Sequence, residues 1–275
     1  VRNIGFRWNP ERKVWALTMN PANVERVTTQ LARVGLTMDE DTAADLWDMV
    51  GKEVTMRMAA TATDADFVAR GITPSLDLMP FQRAGVKFAT EVKRTIIADE
   101  MGLGKTPQSL ASIAHLDAFP ALVIVPASLK MNWRREIKRW IPGAEAVVLQ
   151  GVKGHQLLNI TKGKKVVVAN YDILGGWDSR KSGNELEGWT TKGWGRWLAH
   201  VEWRAIVADE AHYIKNPQAA RSTAVRRLFS KSRAILKLAL TGTPVLNRPA
   251  ELYPALEMLG YSNVFGSRKN YLQRY

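Results

Sequence analysis

The chain has 275 residues, 46% of them hydrophobic, with no cysteine, four histidines and a formal net charge of +13. That length allows one large or two unequal domains with a packed core, and no run of about 18 apolar residues exists to span a bilayer. The absent thiols exclude a disulfide framework and thiolate metal sites, and the start, VRNIGFRWNP, lacks the apolar segment of a signal peptide. The default location is therefore intracellular, cytoplasmic in a bacterium or virus and nuclear in a eukaryote.

Charge is unevenly spread. Residues 1–70 hold 9 Lys+Arg against 10 Asp+Glu, whereas residues 71–275 hold 30 against 16, so a polyanion would meet the larger part. In the first part, two short β-prone runs flank the turn Asn9-Pro10-Glu11-Arg12, and a helix starts near Asn20 or Pro21. Arg2, Arg7, Arg12 and Lys13 against Glu11 make that hairpin basic. Asp39 to Ala60 reads as an acidic amphipathic helix bridging to the second part.

From residue 71 onward, short apolar runs rich in β-branched residues recur at Thr95–Ala98, Leu122–Val125, Ala146–Leu149, Val166–Ala169, Ala205–Ala208 and Ile235–Leu240. Mostly they are separated by stretches of helical length, which implies crossover connections and a parallel, doubly wound α/β sheet. Ligands bind such sheets beyond the carboxyl ends of the strands. Two of the runs end there in Ala-Asp-Glu, within RTIIADEMGLGKTPQ (94–108) and RAIVADEAHYIKN (204–216).

The first of these segments fits the second half of a phosphate-binding loop. Gly102, Gly104, Lys105 and Thr106 supply backbone N–H groups, an ammonium for the β/γ oxygens and a hydroxyl for Mg2+. Position 99 is Asp where the general pattern has Gly. Asp99 and Glu100 are expected at the strand exit with side chains turned away, leaving Met101, Gly102, Leu103, Gly104, Lys105 and Thr106 to face the anion. A glycine-rich turn opening an ordinary helix is the alternative. The second segment argues against it: Asp209 can hold Mg2+ through water while Glu210 polarises the attacking water. Downstream, 211–250 contains no acid but carries Lys215, Arg221, Arg226, Arg227, Lys231, Arg233, Lys237 and Arg248. Alone, such a run reads as a solvated helix face.

ADEMGLGKT (98–106), DEAH (209–212) and LALTGTPVLNRPAELY (238–253) resemble motifs I, II and III of superfamily 2 helicases of the SWI/SNF type, which translocate on double-stranded DNA. The resemblance spans about residues 75–275 and implies a RecA-like P-loop lobe that uses ATP and Mg2+. LMPFQRAGVKF (78–88) resembles the Q motif, implying adenine recognition by Gln82. IVPASLKMNWRREIKRW (124–140) and VANYDIL (168–174) resemble motifs Ia and Ib, which implies DNA-backbone contacts by Ser128, Lys130, Asn132, Arg134 and Asn170. Trp133, Ile137 and Trp140 fall at helical spacing and read as that helix's core face. Thr241, Gly242 and Thr243 would relay nucleotide state, and His212 would couple motifs II and III, although a packed histidine is a comparable reading.

Between Gly175 and Trp203 lies a stretch with Trp177, Trp189, Trp194, Trp197 and Trp203, read as a surface insertion anchored by its own tryptophans in preference to a base-stacking platform. After FGSRKNYLQRY the chain stops where the resembled family continues into a second RecA-like lobe with arginine fingers. The expectation is a fragment that takes that lobe from the rest of a longer chain or from a partner. The N-terminal part is similar to the HARP domain of annealing helicases, its Trp8-Asn9-Pro10 and Trp15 echoing a tyrosine-aspartate-proline then tryptophan pattern. It is thus expected to be a small α+β, ββα DNA-recognition domain over residues 1–70, followed by the ATP-binding lobe over 71–275. The expected function is an ATP-dependent translocase or annealing helicase on double-stranded or branched DNA, with no membrane partner. The motor of a restriction enzyme, or an ATP-sensing DNA-binding module without hydrolysis of its own, are the alternatives.

Overall fold

The computed structural model describes residues 7–9, 14–16, 21–33, 35, 38–151, 163–177, 188–189, 193–243 and 249–274. They fall into two compact units, Val1–Ala62 and Thr63–Tyr275. In the first, β1 (Arg7–Asn9) pairs antiparallel with β2 (Val14–Ala16), Trp8 standing opposite Trp15 in the register. Helix α1 (Pro21–Arg33) follows, with proline at its first position, where a missing N–H costs nothing. Helix α2 (Glu40–Ala60) is capped by Asp39, whose Oδ1 accepts from Thr42 N at 2.9 Å and Oδ2 from Thr42 Oγ1 at 2.8 Å. Val24, Val27 and Leu46 of these helices are buried.

The second unit contains a six-stranded parallel sheet in the order β3-β8-β7-β4-β6-β5. Its strands are β3 (Arg94–Ile97), β4 (Ala121–Val125), β5 (Glu145–Val148), β6 (Lys165–Asn170), β7 (Ala205–Ala208) and β8 (Leu236–Leu240), each within a residue or so of the run that announced it. In β4, β7 and β8 every residue is buried, as expected of central parallel strands covered on both faces. Val123 and Val125 point into one apolar layer, and Leu122 and Ile124 into the other. The first layer packs under α3 (Pro80–Val92), α4 (Lys105–His115) and α5 (Lys130–Trp140). Against the second lie the short α6 (Gly195–Leu198), α7 (Ala220–Lys231) and α8 (Tyr253–Leu259).

Residues 63–70, which the sequence groups with the N-terminal part, belong by contact to the second unit. Phe67 and Ala69 pack against its core, and Arg70 N donates to His115 Nδ1 at 3.2 Å. The insertion's described tryptophans turn inward, apart from Trp197 at 51% exposure. Trp177 and Trp189 meet edge-on at 5.4 Å, Trp194 Nε1 donates to Gly151 O and Trp203 Nε1 to Leu198 O. Internal packing also absorbs much of the basic run. Arg226 pairs with Glu257, Arg227 lies 4.0 Å over the Trp177 ring, and Lys237 Nζ donates to Phe229 O and Ser232 O at the end of α7.

Candidate functional site

Strand order brings the motifs together. β8 lies between β3 and β7, so the loop after β3, the acids after β7 and Thr241-Gly242-Thr243 after β8 share one end of the sheet. Beyond β7 come β4 and β6, whose carboxyl ends carry Ser128 to Arg134 and Asn170. Asp209 thus stands on the strand between the two sets.

The loop after β3 is shaped by two left-handed glycines, Gly102 at φ +86° and Gly104 at φ +78°. A Cβ on Gly104 would stand 2.4 Å from Gln82 Nε2, so helix α3 and the loop touch through the absent side chain. Gln82 makes that contact specific: its Oε1 accepts from Met79 N at 3.0 Å and its Nε2 donates to Leu103 O at 3.1 Å. Here the amide ties the loop to α3, and these two bonds leave one N–H and one lone pair of the amide unused. Lys105, buried at the start of α4, donates to Asp99 O at 2.7 Å and Glu100 O at 2.9 Å. The Asp99 carboxylate accepts from Gln108 Nε2 at 2.6 Å, and Glu100 is exposed. Met101 and Leu103 are exposed, and Thr106 is half-buried in the first turn of α4.

The second acidic pair is built differently. Asp209 is buried, its backbone N donating to Ile124 O; Oδ2 accepts the Trp133 indole N–H at 2.8 Å and Oδ1 accepts Glu210 N at 2.9 Å. Burial raises its carboxyl above the ordinary 3.8, opposed by the Trp133 hydrogen bond and, more weakly, by the Lys105 charge. The buried Tyr171 donates its hydroxyl to Asp209 O at 2.6 Å, and burial raises that phenol well above 10.0. Glu210 turns out of the strand at φ +51°, and its Oε2 lies 3.2 Å from His212 Nδ1. Gly242 completes the floor, since a Cβ there would meet Met101 Cγ at 2.8 Å and stand 3.5 Å from Lys105 Nζ. Thr241 N donates to Ile97 O, and Thr243 N to Thr241 Oγ1.

Among the residues expected to face DNA, Ser128, Asn132 and Arg134 are exposed around the first turn of α5. Lys130 is half-buried and donates to Leu149 O at 3.1 Å. Asn170 is buried, with its Oδ1 lacking a hydrogen-bond partner. Arg12 lies outside the described residues, and of Arg7 only the backbone, in β1, is described. Three further side chains reach the acids, Gln108, Trp133 and Tyr171. Helical spacing announced Trp133 as a core position, and nothing in the sequence signals where the polar ends of the three point.

The donor set suits Mg2+. Among the described residues no three His, Cys, Asp or Glu cluster. A hydroxyl and a carboxylate beside a phosphate cradle match the way that ion is held, by one or two protein oxygens together with phosphate. Nor, among the described residues, is any helix long and apolar enough to cross a membrane.

Comparison with known proteins agrees with this arrangement. Residues 81–275 match the SNF2-related domain. The chain is 35% identical over 201 residues to the mouse DNA annealing helicase and endonuclease ZRANB3, covering 72% of this chain and 17% of that protein. It is 35% identical over 196 residues to the yeast ISWI chromatin-remodeling complex ATPase ISW1, covering 66% of this chain and 16% of that one. The Sulfolobus solfataricus SWI2/SNF2 ATPase core, solved in complex with dsDNA, superposes with a TM-score of 0.60 at 26% identity, covering 76% of this chain and 40% of its own. The chain therefore spans about a sixth of the length of these curated relatives.

Proposed function

The chain belongs to the SNF2-related domain family, and from that premise we propose that it is the ATP-binding first lobe of a motor running on double-stranded DNA. The observation that carries this reading is the meeting of Lys105 and Thr106 after β3 with Asp209 and Glu210 after β7, across the Thr241 to Thr243 segment that follows β8. On nucleotide binding, Lys105 exchanges its two loop carbonyls for β/γ oxygens, and the N–H groups of 101–106 wrap the phosphates. Thr106 and Asp209 are the residues to hold Mg2+, which when bound neutralises charge on the phosphate oxygens. Glu210 accepts a proton from the attacking water and is kept at its station by His212. Gln82 faces the base with what remains of its amide. Ser128, Asn132 and Arg134 hold the DNA backbone, with Lys130 and Asn170 at the margin of that surface.

The γ-phosphoryl charge calls for an arginine, worth roughly 10³–10⁵ in rate in related transfers, and in this reading a second RecA-like lobe supplies it. Residues 1–275 alone then bind Mg·ATP and turn it over slowly. Within the family, the antiparallel β1-β2 hairpin followed by α1 favours an annealing-helicase type of motor, with Arg7 and Arg12 meeting branched DNA. Phosphate release by the chain joined to a second lobe, with and without duplex DNA, tests the proposal. Stimulated turnover that Glu210→Gln abolishes while Mg·ATP still binds is the expected result. Turnover unchanged by that substitution would overturn the assignment of Glu210.

A further inference from the structure

Asp209 is held from two sides by segments proposed above to face DNA. Trp133, in the first turn of α5 and fully buried, donates its indole N–H to the carboxylate Oδ2 at 2.8 Å. Tyr171, immediately after β6 and equally buried, donates its hydroxyl to the backbone oxygen of the same residue at 2.6 Å. A phenylalanine would fill the Tyr171 volume, and at Trp133 it would keep an aromatic ring in the core while leaving a small void, as it would at Trp140; what both substitutions remove at Asp209 is the polar end. The two polar ends converge on one aspartate from two different strand ends.

The sequence neighbours of these anchors include exposed ones: Asn132 and Arg134 flank Trp133, and Asp172 follows Tyr171, whose other neighbour, Asn170, is buried. The Tyr171 ring also stacks on Tyr213 at 5.3 Å and 18°, Tyr213 lies 5.1 Å from the His212 ring, and His212 Nδ1 is 3.2 Å from Glu210 Oε2. Each oxygen of the Asp209 carboxylate accepts one N–H, from Trp133 or from Glu210, so its rotation is fixed by two donors on different elements. Hydrogen bonds to a buried carboxylate are short and strong, and a small displacement of α5 must therefore turn the carboxylate with it.

We infer that Trp133 and Tyr171 are positioning residues that carry DNA occupancy of the loops after β4 and β6 to the metal-holding carboxylate of Asp209. The inference rests on the functional reading above. It makes the nucleotide and DNA sites thermodynamically coupled, and coupling is reciprocal. The test uses residues 1–275, Mg2+ with a non-hydrolysable ATP analogue, and a blunt DNA duplex. The analogue's Kd is measured with and without saturating duplex in the unaltered chain and in Trp133→Phe, Tyr171→Phe and Trp140→Phe. The last is a control, since the Trp140 indole donates to Glu136 Oε2 on its own helix.

The unaltered chain should show a DNA-dependent change in Kd within the roughly 5–150-fold span usual for coupled sites. Trp133→Phe and Tyr171→Phe should each bring that factor to within about twofold of unity, with DNA affinity in the absence of nucleotide retained, while Trp140→Phe keeps the original factor. Either of the first two variants alone suffices if the other fails to fold. Coupling preserved in both, or lost equally in Trp140→Phe, overturns the inference. So does an unaltered chain that binds both ligands without coupling, which leaves the functional reading intact. A chain that binds neither ligand brings down that reading itself.

Discussion

Glu210 sits at φ +51°, in the left-handed region that side chains with a Cβ avoid. Its neighbours enforce the turn: Glu210 N is bound to Asp209 Oδ1, and Glu210 O accepts from Tyr213 N at 2.9 Å. Such strain costs about 1–2 kcal/mol for a residue with a Cβ and little for glycine. Glu210→Gly should therefore be more stable than Glu210→Ala by about 1 kcal/mol, neither hydrolysing ATP. Thermal or urea unfolding of the pair checks this, and the reverse order would contradict it. Lys237 supplies a second residue-level test. Burial, aided by repulsion from Arg94, lowers its ammonium from the ordinary 10.5 to about 8. Between those values the unfolded chain still holds a proton that the folded chain has shed, so stability rises with pH across that window. Relative to Lys237→Met, the unaltered protein should gain stability from pH 8 to 10, by at most about 1.4 kcal/mol per unit. Parallel stability curves would remove the effect.

At the scale of elements, helix α5 has two faces with different duties. Trp133, Ile137 and Trp140 are buried, as their spacing announces, while Asn132, Arg134, Arg135, Lys138 and Arg139 are exposed. Each phosphate contact adds a slope of about −0.9 to log K against log salt on B-DNA. Arg134→Glu should lower duplex affinity and flatten that slope by about one unit, whereas Lys130→Met, whose amine already serves Leu149 O, should change it less. Equal slopes for Arg134→Glu and the unaltered chain would take this turn out of the interface. The strands, the buried stripe of α5 and the loop from 101 to 106 were legible because periodicity and spacing report burial and backbone shape. What those signals cannot report is where a buried polar end points. Trp133 reads in sequence only as apolar, yet its N–H finds Asp209. The acid-free run of 211–250 reads as a solvated face, yet Arg226, Arg227 and Lys237 find partners fixed by tertiary packing. The placement of 63–70 with the second unit was hidden for the same reason, since Phe67 and Ala69 meet a core formed far along the chain.

On the scale of the whole molecule, one sheet edge gathers two chemistries. The ends of β3, β8 and β7 carry the groups proposed for phosphate, relay and water activation, and those of the adjoining β4 and β6 carry the groups proposed for DNA, with Asp209 at their boundary. The two Ala-Asp-Glu segments divide the work accordingly. Asp99 is tied to Gln108 and lends only its carbonyl to Lys105, while Asp209 is buried, turned inward and flanked by a strained Glu210. Everything proposed for this motor depends on the first segment cradling a triphosphate with Lys105 at its centre. The most direct measurement is equilibrium binding of Mg·ATP to residues 1–275, compared with Lys105→Ala and Glu210→Gln. The unaltered chain and Glu210→Gln should bind alike, and Lys105→Ala should bind at least about tenfold more weakly, the loss of a charge-assisted contact of about 1.5–3 kcal/mol. Affinity unchanged by Lys105→Ala, or no binding by the unaltered chain, would contradict the account.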